Sequence, residues 1–152
     1  MALDILGITD AVVSHAMASG RFEQVNGHEP KSPPATGGLT AAVWADRVTP
    51  VRSSGLDVLS VLLVFNVRIY TSAVQEPADA IDPDMLAAVD DLCGAYTGDF
   101  TLGGLVRQVD LLGINGQSLD VRAGYLQQDG VLYRVMTISL PVVVNDLWEE
   151  VA

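Results

Sequence analysis

The sequence has one cysteine, two histidines and eight basic residues, and each of these shortages excludes a class of site. Cys93 by itself can form neither an intramolecular disulfide nor a metal site built from several cysteines, which is typical of a protein from a reducing compartment. The eight lysines and arginines are scattered and face 19 acidic residues, so the net charge is −11. Because binding through phosphates needs clustered basic side chains, this composition argues against nucleic-acid binding by phosphate neutralisation.

The chain also has no uninterrupted apolar run of about 18 residues, the length that crosses a membrane. Asn66 and Arg68 interrupt the longest candidate. The stretch from Met1 to Gly7 has no basic side chain, unlike the start of a secretory signal. We therefore expect a soluble protein, made in the cytoplasm, with no membrane partner. Its 152 residues and 49% hydrophobic content predict one domain, 1–152, with its own core.

The strongest pattern is a strand-like stretch from Leu56 to Thr71, much longer than the usual ~5 to 6 residues. Apolar residues lie on both of its faces at period two. One face carries Leu59, Val61, Leu63, Phe65, Val67 and Ile69, and the other carries Leu62, Val64, Asn66, Arg68 and Tyr70. A subunit of this size can cover one face with its helices, so we expect a neighbouring chain to cover the far end of the other. The pattern predicts a subunit of an assembly.

The remaining elements predict an α+β fold, a mainly antiparallel sheet with a long extended hairpin and two helices packed on one face. The hairpin consists of a strand from Leu39 to Val51 and the long strand, which runs antiparallel to it. In the second helix, Asp82 is expected to be the cap and Pro83 the first helical residue. The other expected elements are a helix from about Asp4 to Ser19, a brief strand within Phe22 to Asn26, the second helix as far as Tyr96, and strands Leu105–Leu112, Leu119–Gln127 and Val131–Val144.

Residues 27–38 contain three prolines and three glycines, which predicts an irregular, extended loop. Structureless loops of this length are usually functional or disordered. The stiffness of the prolines favours a binding arm over a floppy tip.

Pairs of residues that resemble catalytic or metal sites have simpler explanations. Ser14 and His15 are adjacent in the first helix, where neighbours point in different directions and cannot form a nucleophile and base pair. His28 and Glu29 lack further ligands at metal-binding spacing. The aspartate pairs 82/84 and 90/91 lack a partner base or a phosphate loop. We expect no catalytic, cofactor or metal site, and a small uncharacterised enzyme is only a remote alternative.

Three segments resemble the tail terminator proteins of long-tailed, non-contractile bacteriophages that infect actinobacteria. They are Phe22 to Ser32, Val64 to Thr71 followed by Gln75 to Pro77, and Ala123 to Thr137. The element order is similar as well. The resemblance implies a virion protein of the tail or neck, assembled in the host cytoplasm, that forms a hexameric ring on the head-proximal end of the tail tube. Such a ring stops tube polymerisation and docks the head-closure or neck protein, and genomic DNA passes through its lumen without specific binding.

Under this resemblance the hairpin and the loop at 27–38 become candidate contacts between subunits or rings. The candidate contact residues are His28, Glu29, Pro30, Lys31, Trp44, Arg52, Phe65, Arg68 and Tyr70. The stretch 76–99 has seven acidic residues and no basic one, which suggests a helix that rims the lumen and repels DNA. The candidate lumen residues are Asp82, Asp84, Asp90 and Asp91. A solubilising helix face is an equal alternative for them, and a head-closure or adaptor ring, or a tail-like bacteriocin particle, is an alternative for the whole protein.

Overall fold

The computed structural model describes residues 3–28, 39–51, 58–72, 81–128 and 130–149. Two helices and six strands make up this part of the chain, so the protein is α+β, as predicted. Their order is α1 (Ile5–Ala18), β1 (Gln24–Asn26), β2 (Thr40–Val51), β3 (Val58–Ser72), α2 (Ile81–Gly98), β4 (Gln108–Val109), β5 (Asp120–Gln128) and β6 (Val131–Glu149). Residues 29–38 of the loop predicted at 27–38 lie outside the described residues, as do residues 52–57 between β2 and β3.

All six strands form one sheet in the order β1-β2-β3-β6-β4, with β5 also paired to β6. β3 is central and antiparallel to both β2 and β6, which confirms the extended hairpin of β2 and β3. β1 is parallel to β2, with Gln24 opposite Thr40. The sheet is therefore mixed, and the expectation of a mainly antiparallel sheet holds only in part.

Both helices pack against one face of the sheet and form the main core with it. The Asp4 side chain caps α1 by accepting a hydrogen bond from the Gly7 backbone N–H at 3.0 Å. The Tyr96 hydroxyl of α2 donates to the Val12 carbonyl of α1 at 3.1 Å, which links the two helices inside the core. The core includes Ile8, Val12 and Ala16 of α1, Met85, Leu92 and Tyr96 of α2, and Leu63, Phe65, Val67 and Ile69 of β3.

The opposite face of the sheet is buried over much of its length without a neighbouring chain. Tyr70 and Tyr133 pack edge to face there, with ring centroids 6.5 Å apart. Leu62 and Val64 form a second small cluster with Val143. The expectation that this face of the long strand needs a neighbour is therefore wrong for these residues.

Two predicted element bounds are also wrong. Of the strand expected over Leu105–Leu112, only Gln108–Val109 is strand, because a turn in which Leu102 has φ of 48° precedes it and an ordered loop follows. α2 begins at Ile81, so Asp82 lies inside its first turn instead of capping it. Asp82 accepts a hydrogen bond from Arg134 at 3.0 Å and forms an ion pair with it.

Candidate functional site

A cavity of about 410 Å³ lies on the face of the sheet that the helices leave open. Three of the chain's arginines, Arg47, Arg68 and Arg122, line it, and Asp46 is the single acidic residue among its lining. The rest of the lining is Val64, Asn66, Gln117, Ala123, Gly124, Val135, Thr137 and Ser139. We call this cavity the arginine groove. It is a local basic site in a chain of net charge −11.

A β-bulge in β2 places Arg47 in the groove. Ala45 is opposite Phe65, but the next pair is Arg47 opposite Val64, so Asp46 is an extra residue on β2. Without the bulge, strict alternation would put Arg47 on the same face as Ala45, toward the helices. The bulge instead turns Arg47 to the face of Val64. The alternation of apolar residues in β2 does not indicate this extra residue.

Arg68 occupies the centre of the groove and is held in place from two sides. Its guanidinium carbon lies 5.3 Å from the centroid of the Trp44 ring, a cation–π contact. Its Nε donates to the Thr137 hydroxyl at 2.8 Å. The terminal nitrogens of a guanidinium provide further donors in a fixed plane. Arg68 is therefore a pre-positioned donor group.

The other two arginines lie at the rim of the groove, and both are exposed. Arg47 donates from Nη2 to Gln117 Oε1 at 3.2 Å, which connects β2 to the segment before β5. The Arg122 side chain is 84% exposed and pairs with Asp120 at 3.3 Å. Guanidinium groups bind planar oxyanions, carboxylate or phosphate, with two parallel hydrogen bonds. The groove is chemically suited to a ligand that carries such groups.

The four aspartates predicted to face a lumen are all exposed on α2, but they are not equivalent. Asp82 pairs with Arg134 and Asp91 pairs with Arg21. Within the described ranges, neither Asp84 nor Asp90 takes part in an ion pair. The lumen role remains a prediction for all four, and Asp84 and Asp90 are the members with charge available for another molecule.

The structure places the predicted contact residues in different environments. Phe65 is 0% exposed in the main core and Tyr70 is 2% exposed against Tyr133, so both are wrong as contact residues because they have no surface to offer. Trp44 and Arg68 are partly buried and lie together at the groove. His28 is exposed. The remaining four, Glu29, Pro30, Lys31 and Arg52, lie outside the described residues.

The loop at 110–118 is a second surface, and it was not predicted from the sequence. The Asp110 carboxylate is 2% exposed and accepts hydrogen bonds from the backbone N–H groups of Ile114 at 3.0 Å and Asn115 at 2.8 Å. Gly113 has φ of 76°, and a Cβ there would lie 2.9 Å from the Ser118 nitrogen. This ordered loop holds Leu112 and Ile114 in solvent, 88% and 82% exposed. The apolar residues on either side of Gly113 are the signal for this surface in the sequence, but Leu112 was predicted to lie in a strand.

His15 has a structural partner instead of a catalytic one. Its Nε2 lies 2.9 Å from Asp99 Oδ2, and its ring packs edge to face against Tyr96. The Gly103 backbone N–H, together with His15, lowers the pKa of Asp99. Partial burial and the nearby Asp90 raise the pKa of the Cys93 thiol, which keeps the thiol protonated. Among the described residues, no three His, Cys, Asp or Glu side chains are placed to hold a metal ion.

Comparison with solved structures found chains that are similar to this one. Neither a family model nor a curated protein matches the chain. A chain of a solved structure described as "Virion of native gene transfer agent (GTA) particle" has 12% sequence identity and a TM-score of 0.43, over 95% of this chain and 99% of that chain. Within the part of the chain that the structure describes, no helix has the length and apolar character needed to cross a membrane.

Proposed function

We propose that this protein is a virion structural subunit of the tail terminator class. Copies of it, six by the sequence resemblance, form a ring on the head-proximal end of a tail tube, stop the tube from growing and dock the neck. The resemblance over segments 22–32, 64–71 with 75–77, and 123–137 supports the class. The observation that carries the assembly role is the ordered apolar loop at 110–118.

This loop is built to contact another protein. Leu112 and Ile114 are large apolar side chains, and each would gain about 1.5 to 3 kcal/mol on full burial. Asp110 already fixes the loop backbone through its two hydrogen bonds. Because the loop is ordered before contact, binding costs little further conformational entropy. A fixed pair of exposed apolar side chains is therefore an efficient anchor for a neighbouring subunit or ring.

The outer edge of β2 is a second surface that fits assembly. β1 pairs only with residues 40–42 of β2. Beyond them, residues 43–51 have no strand on their outer side among the described residues, and residues 45–50 are exposed. Unpaired edges bind strands or loops from other chains. A ring needs two different lateral surfaces on each subunit, because head-to-tail contacts close it. Arg47 of the edge contacts Gln117 of the loop, so the edge and the loop together supply one of these surfaces.

Electron microscopy of labelled particles tests the location. An antibody raised against the purified protein, applied to intact virions in negative stain, should mark the junction between head and tail and no other place. Labels along the tube or at the distal tip, or none on the particle, would contradict the proposal. The same antibody on heads without tails and on tails without heads would show which of the two carries the ring.

A further inference from the structure

The arginine groove and the aspartates of α2 lie on opposite sides of the sheet. Alternate residues of a strand point to opposite faces. Phe65 of β3 therefore faces the helices, whereas Asn66 and Arg68 face the arginine groove. The exposed side of α2, which carries the aspartates, points away from the core on the helix side. One copy of the protein thus presents an acidic surface on one side and a basic groove on the other.

From this arrangement, we infer that the arginine groove of one copy binds the acidic side of α2 of the next copy, with Asp84 and Asp90 as the carboxylates that meet the arginines. The inference rests on the proposed function, because it supplies the head-to-tail contact that closes the ring. Asp84 and Asp90 flank the exposed side of α2. Ala87 and Gly94, seven residues apart, lie between these flanks on one helix face. Their small size lets the helix backbone approach the groove closely.

The chemistry of the groove favours carboxylates of a second copy over nucleic-acid phosphates. Arg68 is pre-positioned by Trp44 and Thr137, and Arg47 and Arg122 are exposed at the rim. The groove also contains Asp46, and Asp120 pairs with Arg122, so its excess positive charge is small and local. A nucleic acid would bring many phosphates into the field of a chain with net charge −11. Two carboxylates on a helix need only the few arginines of the groove as partners.

Charge reversal on each side tests the contact. The groove variant carries Arg47→Glu and Arg122→Glu, and it retains Arg68 because that side chain packs inside the subunit. The helix variant carries Asp84→Arg and Asp90→Arg. The control variant carries Arg107→Glu and Asp10→Arg, two exposed positions outside both surfaces. Circular dichroism establishes that each variant is folded, and sedimentation velocity then measures association for each variant alone and for equal mixtures.

Each variant alone should associate at least about tenfold more weakly than wild type, because like charges then face each other across every contact. An equal mixture of the groove and helix variants should regain association. Every contact in that mixture joins unlike copies with opposite charges, so its rings should contain the two variants in equal numbers. The control variant should associate like wild type.

Three results in solution would overturn the inference. In the first, the mixture associates no better than its components. In the second, wild-type protein stays monomeric at millimolar concentration. In the third, the groove variant associates normally but loses binding to a fluorescent DNA duplex. The last result would assign the groove to phosphates. If neutral Asp84→Asn and Asp90→Asn changes leave association intact but slow DNA ejection from virions, α2 rims the lumen instead. None of these results decides whether the protein limits tail length, which is measured separately.

Discussion

Arg68 stacks over the indole ring of Trp44, with 5.3 Å between the guanidinium carbon and the ring centroid. Both residues were predicted to contact a neighbouring subunit, and within one subunit they contact each other. This contact fixes the central donor of the arginine groove and connects two adjacent strands, β2 and β3. The pair therefore contributes to stability as well as to any interaction with another chain.

Replacement of Trp44 by leucine should lower the free energy of unfolding by about 1 to 2 kcal/mol, since it removes the cation–π contact. Trp44→Phe is the matched control, because it keeps an aromatic face and should lose less. Urea denaturation followed by circular dichroism measures both variants. Equal losses for leucine and phenylalanine would show that the aromatic face does not contribute.

Replacement of Asp110 by alanine should release the loop at 110–118. Two backbone N–H groups lose their acceptor, and we expect a cost of about 1 to 3 kcal/mol in unfolding free energy. Hydrogen exchange at the amides of Ile114 and Asn115 should accelerate at the same time. Asp10→Ala, at an exposed position on α1, is the control and should change neither quantity. Unchanged exchange in the Asp110 variant would show that the loop is ordered by other contacts.

Substitution of serine for both Leu112 and Ile114 should weaken assembly without weakening the fold. Both side chains are almost fully exposed, so the free energy of unfolding should change by no more than about 0.5 kcal/mol. Association in solution or incorporation into particles should fall. Leu6→Ser, another exposed leucine at 80%, is the matched control and should assemble normally. Normal assembly by the double variant would remove the loop from the contact surfaces.

The His15 and Asp99 pair should give a small pH dependence to stability. The pKa of Asp99 is lower in the folded protein than its ordinary value of 3.8, so its contribution to stability is present above that value and is lost as the pH falls through the folded pKa. Asp99→Asn should flatten the stability curve below about pH 4 and reduce stability slightly at neutral pH. Thermal unfolding from pH 2 to 7 measures the difference. A variant curve parallel to wild type would show that the pair contributes nothing.

Local signals in the sequence predicted much of the fold. The apolar stripe predicted a helix from about Asp4 to Ser19, close to the observed α1, and the long alternation predicted the extended hairpin of β2 and β3. The sequence could not predict the bulge at Asp46, because an extra residue leaves the alternation of residues 39–46 intact and appears only in the pairing with β3. Residues 105–112 resembled a strand because they are apolar, yet the positive φ of Leu102 and the hydrogen bonds of Asp110 make most of that stretch turn and loop. Interaction surfaces were harder to predict than the fold. Phe65 and Tyr70 were predicted to contact another chain, but both are buried inside the subunit.

The most direct test of the proposed role is the tail-length distribution of a phage whose copy of this gene carries an early stop codon. Negative-stain electron microscopy of its lysates should show overlong tubes of variable length that are not attached to filled heads. Wild-type protein supplied from a plasmid should restore uniform, head-joined tails. Tails of normal length in the absence of the protein would contradict a terminator, and their failure to join heads would place the protein on the head side of the neck.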